Sequence, residues 1–298
     1  MQRVHAVREL QGLADAMRAE GRRIALVPTM GALHRGHLAL MEEARRRADV
    51  VWVSIFVNPS QFDRSEDLAA YPRPLEADLA RCREQGIDAV FVPGETELYP
   101  EGHQTWVQVR ELEKPLCGRS RPGHFRGVAS VVTRLLIAAR PHVAVFGEKD
   151  FQQLALVRRL VRDLGFDVEV VGVPTVREPD GVALSSRNVH LAPETRRQAV
   201  ALVRALAAAE RAVEAGERSQ RRILGLVGQE LGKSPLARID YAELRDPETL
   251  VPAPETLVGP TLLALAVHFP VGAAGCGASV RLIDNRVLLA SPAREEAT

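Results

Sequence analysis

Val27-Pro28-Thr29-Met30-Gly31-Ala32-Leu33-His34-Arg35-Gly36-His37 is the stretch on which the reading of this chain turns. It follows the apolar run Ile24-Ala25-Leu26-Val27, which has the character of a buried strand. It leads into Leu38, Leu40, Met41 and Ala44, spaced as the inner face of a helix. The stretch is therefore a strand-to-helix turn. Such a turn aims unpaired backbone N–H groups and the positive end of a helix dipole at one point, where a phosphate is favoured. Gly31 permits a tight turn, and Gly36 leaves no side chain over the first helical turn. His34 and His37, three apart, share a face and can donate hydrogen bonds to phosphate oxygens, in which case neither is a metal ligand. Two histidines so spaced are, taken alone, more often ordinary boundary residues. The strand before them, the glycine between them and the apolar helix face after them argue for a site.

Outward from this turn, strands and helices alternate. Before it, residues 6–19 read as a helix with Val7, Leu10, Leu13, Ala14 and Met17 on one face. After it come a helix over 36–48, a continuously apolar strand over 50–57, a helix over 75–85 and a strand over 89–92. A helix then starts near Gly127, lined by Val128, Val131, Val132, Leu135 and Leu136. A strand over 143–146, a helix reaching 164 and a strand over 168–173 complete the series. This order predicts an α/β fold, a Rossmann-like doubly wound parallel sheet with ligands at the carboxyl ends of its strands. The pattern changes after Pro174. A turn at Arg177 to Gly181, an Ala-rich helix over 194–215, a second helix over 219–231 and strand-like runs over 237–244, 261–268 and 278–289 predict a smaller α+β domain. The expected domains are 1–175 and 176–298, with a charged, frayed tail over 291–298.

A length of 298 residues favours two domains over one. With 39 basic and 38 acidic side chains the net charge is +1, so nothing in the balance asks for nucleic acid or an anionic membrane. Cys82, Cys117 and Cys276 lie far apart and form no Cys-x-x-Cys pair, which argues against a zinc knuckle or a disulfide framework. The N-terminus lacks the apolar core of a signal peptide, and no apolar run approaches the roughly 20 residues of a membrane span. The expectation is a soluble cytoplasmic protein.

Three further clusters fall at strand ends or in the second domain. Asn58-Pro59-Ser60-Gln61-Phe62 follows the strand over 50–57; the Gln61 amide can both donate and accept there, or can simply be solvated. Gly147-Glu148-Lys149-Asp150 follows the strand over 143–146. It is either a surface turn or a place where a lysine neutralises phosphate charge. Leu184-Ser185-Ser186-Arg187-Asn188 opens the second domain and is compatible with helix caps. The basic run from Arg119 to Gly127 could steer anions or be solvated, and Cys117 and His124 have no metal-like spacing and are left out of the site.

The His34-Arg35-Gly36-His37 segment resembles the His-x-Gly-His signature of the nucleotidyltransferase superfamily. The fuller string from Pro28 to His37 is similar to that of the pantoate–β-alanine ligase family. The resemblance runs from Leu26 to Asn188 and continues weakly to about Asn285. It implies two-step ligation: ATP activates pantoate as an adenylate, releasing pyrophosphate, and β-alanine then displaces AMP. It implies that His34, His37, Lys149, Ser185, Ser186 and Arg187 act in catalysis. Met30, Gly31, Ala32, Leu33, Arg35, Gly36, Gly147, Glu148, Asp150, Val176 and Leu184 would join them around ATP. Gln61 and Gln153 would bind pantoate, with Met30 and Phe56 as apolar neighbours. Mg²⁺ is implied with ATP, without dedicated protein ligands, and a homodimer is implied by analogy. Ser185-Ser186-Arg187 matches a reduced form of the superfamily's Lys-Met-Ser-Lys-Ser loop, so one cation stands where two are usual. Two rivals remain: another nucleotidyltransferase that keeps the nucleotide on its product, and a non-catalytic nucleotide- or tRNA-binding relative. Intact motifs and a nearly neutral chain weigh against the second.

Overall fold

The structure, a computed structural model, describes residues 1–63, 65–271 and 279–289; Cys276 and the expected tail over 291–298 lie outside the described residues. The chain divides into two compact units, Met1–Val176 and Arg177–Thr298.

In the first unit the order is β1 (Gln2–Val4), α1 (Val7–Ala19), β2 (Ile24–Thr29), α2 (Arg35–Arg47), β3 (Val50–Ile55), α3 (Ser65–Ala70), α4 (Leu75–Glu84) and β4 (Ala89–Phe91). There follow α5 (Glu95–Leu98), α6 (Cys117–Ser120), α7 (His124–Ala139), β5 (Val143–Gly147), α8 (Phe151–Leu164) and β6 (Glu169–Val173). The strands form one sheet in the order β1-β4-β3-β2-β5-β6, parallel throughout. From β2 the chain steps outward through β3 to β4, then returns to place β5 and β6 on the other side of β2. The order therefore reverses between β2 and β5, and the crevice beyond their carboxyl ends is the place where such sheets hold ligands.

The composition of the strands accounts for this arrangement. All six residues of β3 are buried, as a strand covered on both faces requires. Leu40, Met41 and Ala44 of α2 pack with Leu79 and Cys82 of α4 against Val27, Val53, Val90 and Val145 of the sheet. Arg45, Arg46 and Arg47 occupy the last turn of α2, where cations complement the helix dipole. β3 ends at Ile55, two residues short of the expected run, because the chain turns away into a 3-10 turn over Pro59–Gln61 capped by Asn58.

The second unit holds α9 (Pro193–Ala199), α10 (Ala201–Glu214), α11 (Gln220–Gly232) and an antiparallel sheet of β7 (Arg238–Arg245), β8 (Thr261–Pro270) and β9 (Ser279–Leu288) in that order. Its core joins Leu202, Leu206, Val213, Ile223 and Val227 to Leu263, Leu265, Val267 and Phe269. The single helix expected over 194–215 is two helices that meet at Val200. Buried Thr195, Ala199, Leu202 and Leu206 keep the i, i+3, i+4 pattern across the bend, so periodicity alone could not reveal it. Among the described residues no helix is long and apolar enough to cross a membrane.

Candidate active site at the strand switch

The turn after β2 is held by two side chains that spacing did not single out. Thr29 Oγ1 donates to the Ser54 carbonyl (2.8 Å) and accepts from Gly31 N (3.1 Å). Asp78, buried on α4, accepts from Ala32 N and Leu33 N, each at 2.8 Å. Arg81 lies one helical turn on, donates to the Leu33 carbonyl and stands 3.8 Å from Asp78. Gly31 has φ +83°, and a Cβ there would lie 3.0 Å from Asp78 Oδ2 and 3.1 Å from an Ile55 methyl. The turn thus needs a residue without a side chain.

The histidines complete the closure. His34 is the N-cap of α2, and its Nδ1 accepts from Gly36 N (3.1 Å), while His37 Nδ1 accepts from His34 N (3.2 Å). The backbone N–H groups of Gly31, Ala32, Leu33, His34, Gly36 and His37 therefore all have acceptors within the chain. This corrects the expectation of unpaired N–H groups aimed at a phosphate: a turn packed against a buried carboxylate satisfies its donors internally. What the turn offers outward is the imidazoles. An Nδ1 that accepts from an amide carries no proton, so a neutral ring must carry it on Nε2. Both rings are Nε2–H donors, side by side with centroids 4.1 Å apart.

Electrostatics keeps them neutral. Burial, then the charge of Lys149, holds His34 below its ordinary value; burial, then His34 itself, pushes His37 down to about 3. Lys149 and Asp150 both act on these rings, so the 3-10 turn Glu148–Asp150 after β5 faces the histidine turn after β2. Lys149 Nζ lies 3.6 Å from Asp150 Oδ2, and Gly147 ends β5 beside them. Arg35 is exposed, whereas Gly36 is half-buried in the first turn of α2.

The loop after β3 joins the same crevice. Gln61 is buried, donates from Nε2 to Met30 Sδ (3.0 Å) and accepts at Oε1 from Asn58 Nδ2 (3.1 Å). Met30 and Gln61 are thus brought together, and Phe56 is buried with its ring 6.3 Å from that of Tyr99. Gln153 sits half-buried in the first turn of α8. The adjacent Gln152 is buried and braces another segment, accepting from Cys117 N (3.0 Å) and donating to the Leu112 and Pro115 carbonyls (2.9 and 2.7 Å). His124, left out of the site on sequence grounds, lies 2.7 Å from the Gln61 carbonyl, with Arg121 beside it. Asp78 carried one readable signal, a carboxylate adjoining the apolar positions Leu79 and Cys82 of an amphipathic helix. Asn58 and His124 carried none, because their partners are distant in sequence or set by packing.

Val176 is half-buried at the end of the first unit. In the second unit, Arg177 and Ala183 pair across a turn that leads to buried Leu184 and a 3-10 turn over Ser186–His190. Ser185 caps that turn by accepting from Arg187 N (3.2 Å), and Asn188 Nδ2 ties it back to the Ala183 carbonyl (3.1 Å). Arg187 is exposed and Ser186 half-buried. The capping role open to Ser185 is realised, and its hydroxyl proton remains available to donate.

Residues 2–287 match the family described as Pantoate-beta-alanine ligase. The chain is 52% identical over 288 residues to the pantothenate synthetase of Syntrophobacter fumaroxidans, covering 97% of this chain and 99% of that one. It resembles the crystal structure of pantothenate synthetase from Thermus thermophilus at 48% identity and a TM-score of 0.87, over 96% of this chain and 99% of that chain. It also resembles the pantoate-beta-alanine ligase of Francisella tularensis, described as complexed with beta-gamma ATP and beta-alanine, at 30% identity and a TM-score of 0.73, over 96% of this chain and 97% of that chain. A parallel sheet with a histidine turn and a Gly-Glu-Lys-Asp turn at its switch, matched at this coverage, places the chain in the pantoate–β-alanine ligase family.

Proposed function

We propose that the chain joins pantoate and β-alanine to give pantothenate through an enzyme-bound pantoyl adenylate. A pantoate carboxylate oxygen attacks the α-phosphorus of ATP and pyrophosphate leaves. The β-alanine amine then attacks the acyl carbon, the bond to AMP breaks, and the amide forms. The observation that carries this reading is the pair of Nε2–H imidazoles held beside Lys149 at the β2/β5 switch. Two fixed neutral donors and a cation suit a phosphorus centre on which negative charge grows, and their preorganisation is what makes such groups effective.

In this reading Met30 to His37, Gly147 to Asp150, Val176 and Leu184 to Arg187 surround ATP. Gln61 and Gln153 take the pantoate carboxylate and hydroxyls, and Ser185, Ser186 and Arg187 add donors and charge to the triphosphate. Among the described residues no group of three or more His, Cys, Asp or Glu could hold a metal. Mg²⁺ is expected with ATP by analogy with the family, carried mainly by the oxygens of the nucleotide, where it would neutralise phosphate charge. A homodimer and a cytoplasmic location complete the proposal by analogy with the family.

The test is product analysis with pantoate, ATP and β-alanine. AMP and pyrophosphate are expected, and omission of β-alanine should leave a bound acyl adenylate. ADP and phosphate as products, or a nucleotide retained on the product, would refute the reading.

A further inference from the structure

The basic segment from Arg119 to Gly127 has no part in the reaction as proposed, yet its middle is built onto the turn that carries Gln61. Gly127 lies in the first turn of α7, and a Cβ there would collide with the Ser60 carbonyl and fall 2.8 Å from Gln61 N. Only glycine lets the helix lie so directly on the turn over Pro59–Gln61. One turn earlier, His124 Nδ1 is 2.7 Å from the Gln61 carbonyl oxygen. A carbonyl can only accept, so Nδ1 carries the proton, and the lone pair on Nε2 receives Arg121 Nη1 at 3.2 Å. Arg121 also donates through Nη2 to the same Gln61 carbonyl (3.2 Å), and its Nε lies 3.5 Å from Asp63 Oδ1 just beyond the turn.

Asn58 closes the brace from the other side. Its Nδ2 reaches both the Gly127 carbonyl (3.2 Å) and Gln61 Oε1 (3.1 Å). The carbonyl, the backbone amide and the side chain of Gln61 are therefore each fixed by neighbours in 58–63 or 121–127. Burial, then the charge of Arg121, pushes His124 down to about 4, so the neutral ring and its directed hydrogen bonds persist through the physiological range. A loop that merely steered anions would present these groups to solvent. Arg121 and His124 instead turn inward onto one carbonyl.

We propose that Arg121 and His124 are positioning residues that set where the Gln61 amide stands and thereby select the hydroxy acid that the site activates. The inference rests on the reading of Gln61 as an acid-binding residue. A hydrogen bond weakens steeply with misalignment, so a small shift of the Gln61 backbone takes its amide out of register with a bound carboxylate or hydroxyl. The histidine turn is held separately by Thr29 and Asp78, so its donors should be little disturbed.

The test is initial-rate kinetics with pantoate, ATP and β-alanine each varied, on the wild type, His124→Ala, Arg121→Ala and His124→Asn. The asparagine keeps an N–H donor close to the place of Nδ1. Each alanine variant should raise KM for pantoate by about tenfold, the scale of one lost hydrogen bond to a buried group, and leave KM for ATP within about twofold. The preference for pantoate over an analogue lacking one of its two hydroxyls should shrink in both and return in His124→Asn. Equal effects on all three substrates, or a loss of kcat that tracks the folded fraction, would overturn the inference. If His124→Ala does not fold, Arg121→Ala and His124→Asn decide it by the same ratio. A wild type that does not turn over pantoate overturns the functional reading itself, and this inference with it.

Discussion

His34 and His37 are held in a protonation state that their own helix N-terminus imposes. Each ring gives its Nδ1 to a backbone amide, so Nε2–H is the end presented to a ligand, and burial opposes a second proton. Nitrogen NMR at pH 7 should show both rings neutral and protonated at Nε2, and His37 should stay neutral well below pH 6; titration of His37 near 6.5 would contradict this. Linkage gives the matching stability effect. His37 has a folded value near 3, below its ordinary 6.5, so between these limits the unfolded chain binds more protons and stability falls as pH is lowered. Denaturant unfolding of His37→Asn should show a shallower loss over that interval than the wild type. Replacing either histidine by alanine should slow adenylate formation by about 10²–10³-fold, the scale for losing one preorganised donor. The reaction of isolated adenylate with β-alanine should be less affected, and equal damage to both steps would count against the assignment.

At the scale of the element, the turn between β2 and α2 depends on a carboxylate from α4. Asp78→Ala leaves the Ala32 and Leu33 amides without their acceptor in a buried place and should cost about 2–4 kcal/mol. Asp78→Asn keeps one acceptor oxygen but turns an NH₂ toward the second amide, so it should recover only part of that loss. Gly31→Ala should add strain of about 1–2 kcal/mol from its left-handed backbone, and its Cβ would press on the same carboxylate. Denaturant titration measures all three. An Asp78→Ala variant within about 0.5 kcal/mol of wild type would mean that the turn does not need the carboxylate.

At the scale of the molecule, two separate cores carry two separate sheets. In the second unit Asp284 of β9 is buried and receives Arg177 through two hydrogen bonds, at 2.7 and 3.0 Å. Arg177 also donates to the Gly181 carbonyl (3.0 Å), so it shapes the turn that leads to Ser185 and Arg187. Arg177→Met would strand the Asp284 charge and should destabilise this unit by about 3 kcal/mol. Hydrogen exchange should then show faster opening of β8 and β9 amides with β2 and β3 unchanged. Uniform acceleration in both sheets, or none in either, would refute an effect confined to one unit.

The amino-acid sequence by itself determined the alternation of strands and helices, the change of pattern after Pro174 and the motifs at the ends of β2 and β5. Each is written locally, as apolar period, glycine placement or a short string such as His34 to His37. The bend at Val200 was illegible because it leaves the apolar period intact. The tertiary structure alone decided which groups hold the site in shape. Asp78 under the histidine turn, Asn58 beside Gln61 and His124 on the Gln61 carbonyl meet partners 45, 3 and 63 residues away. Even the near pair depends on a turn whose geometry is set by α7 packed against it. Packing also settled the fate of the turn's backbone N–H groups, since a buried donor takes whatever acceptor the fold brings to it. No local pattern names that acceptor.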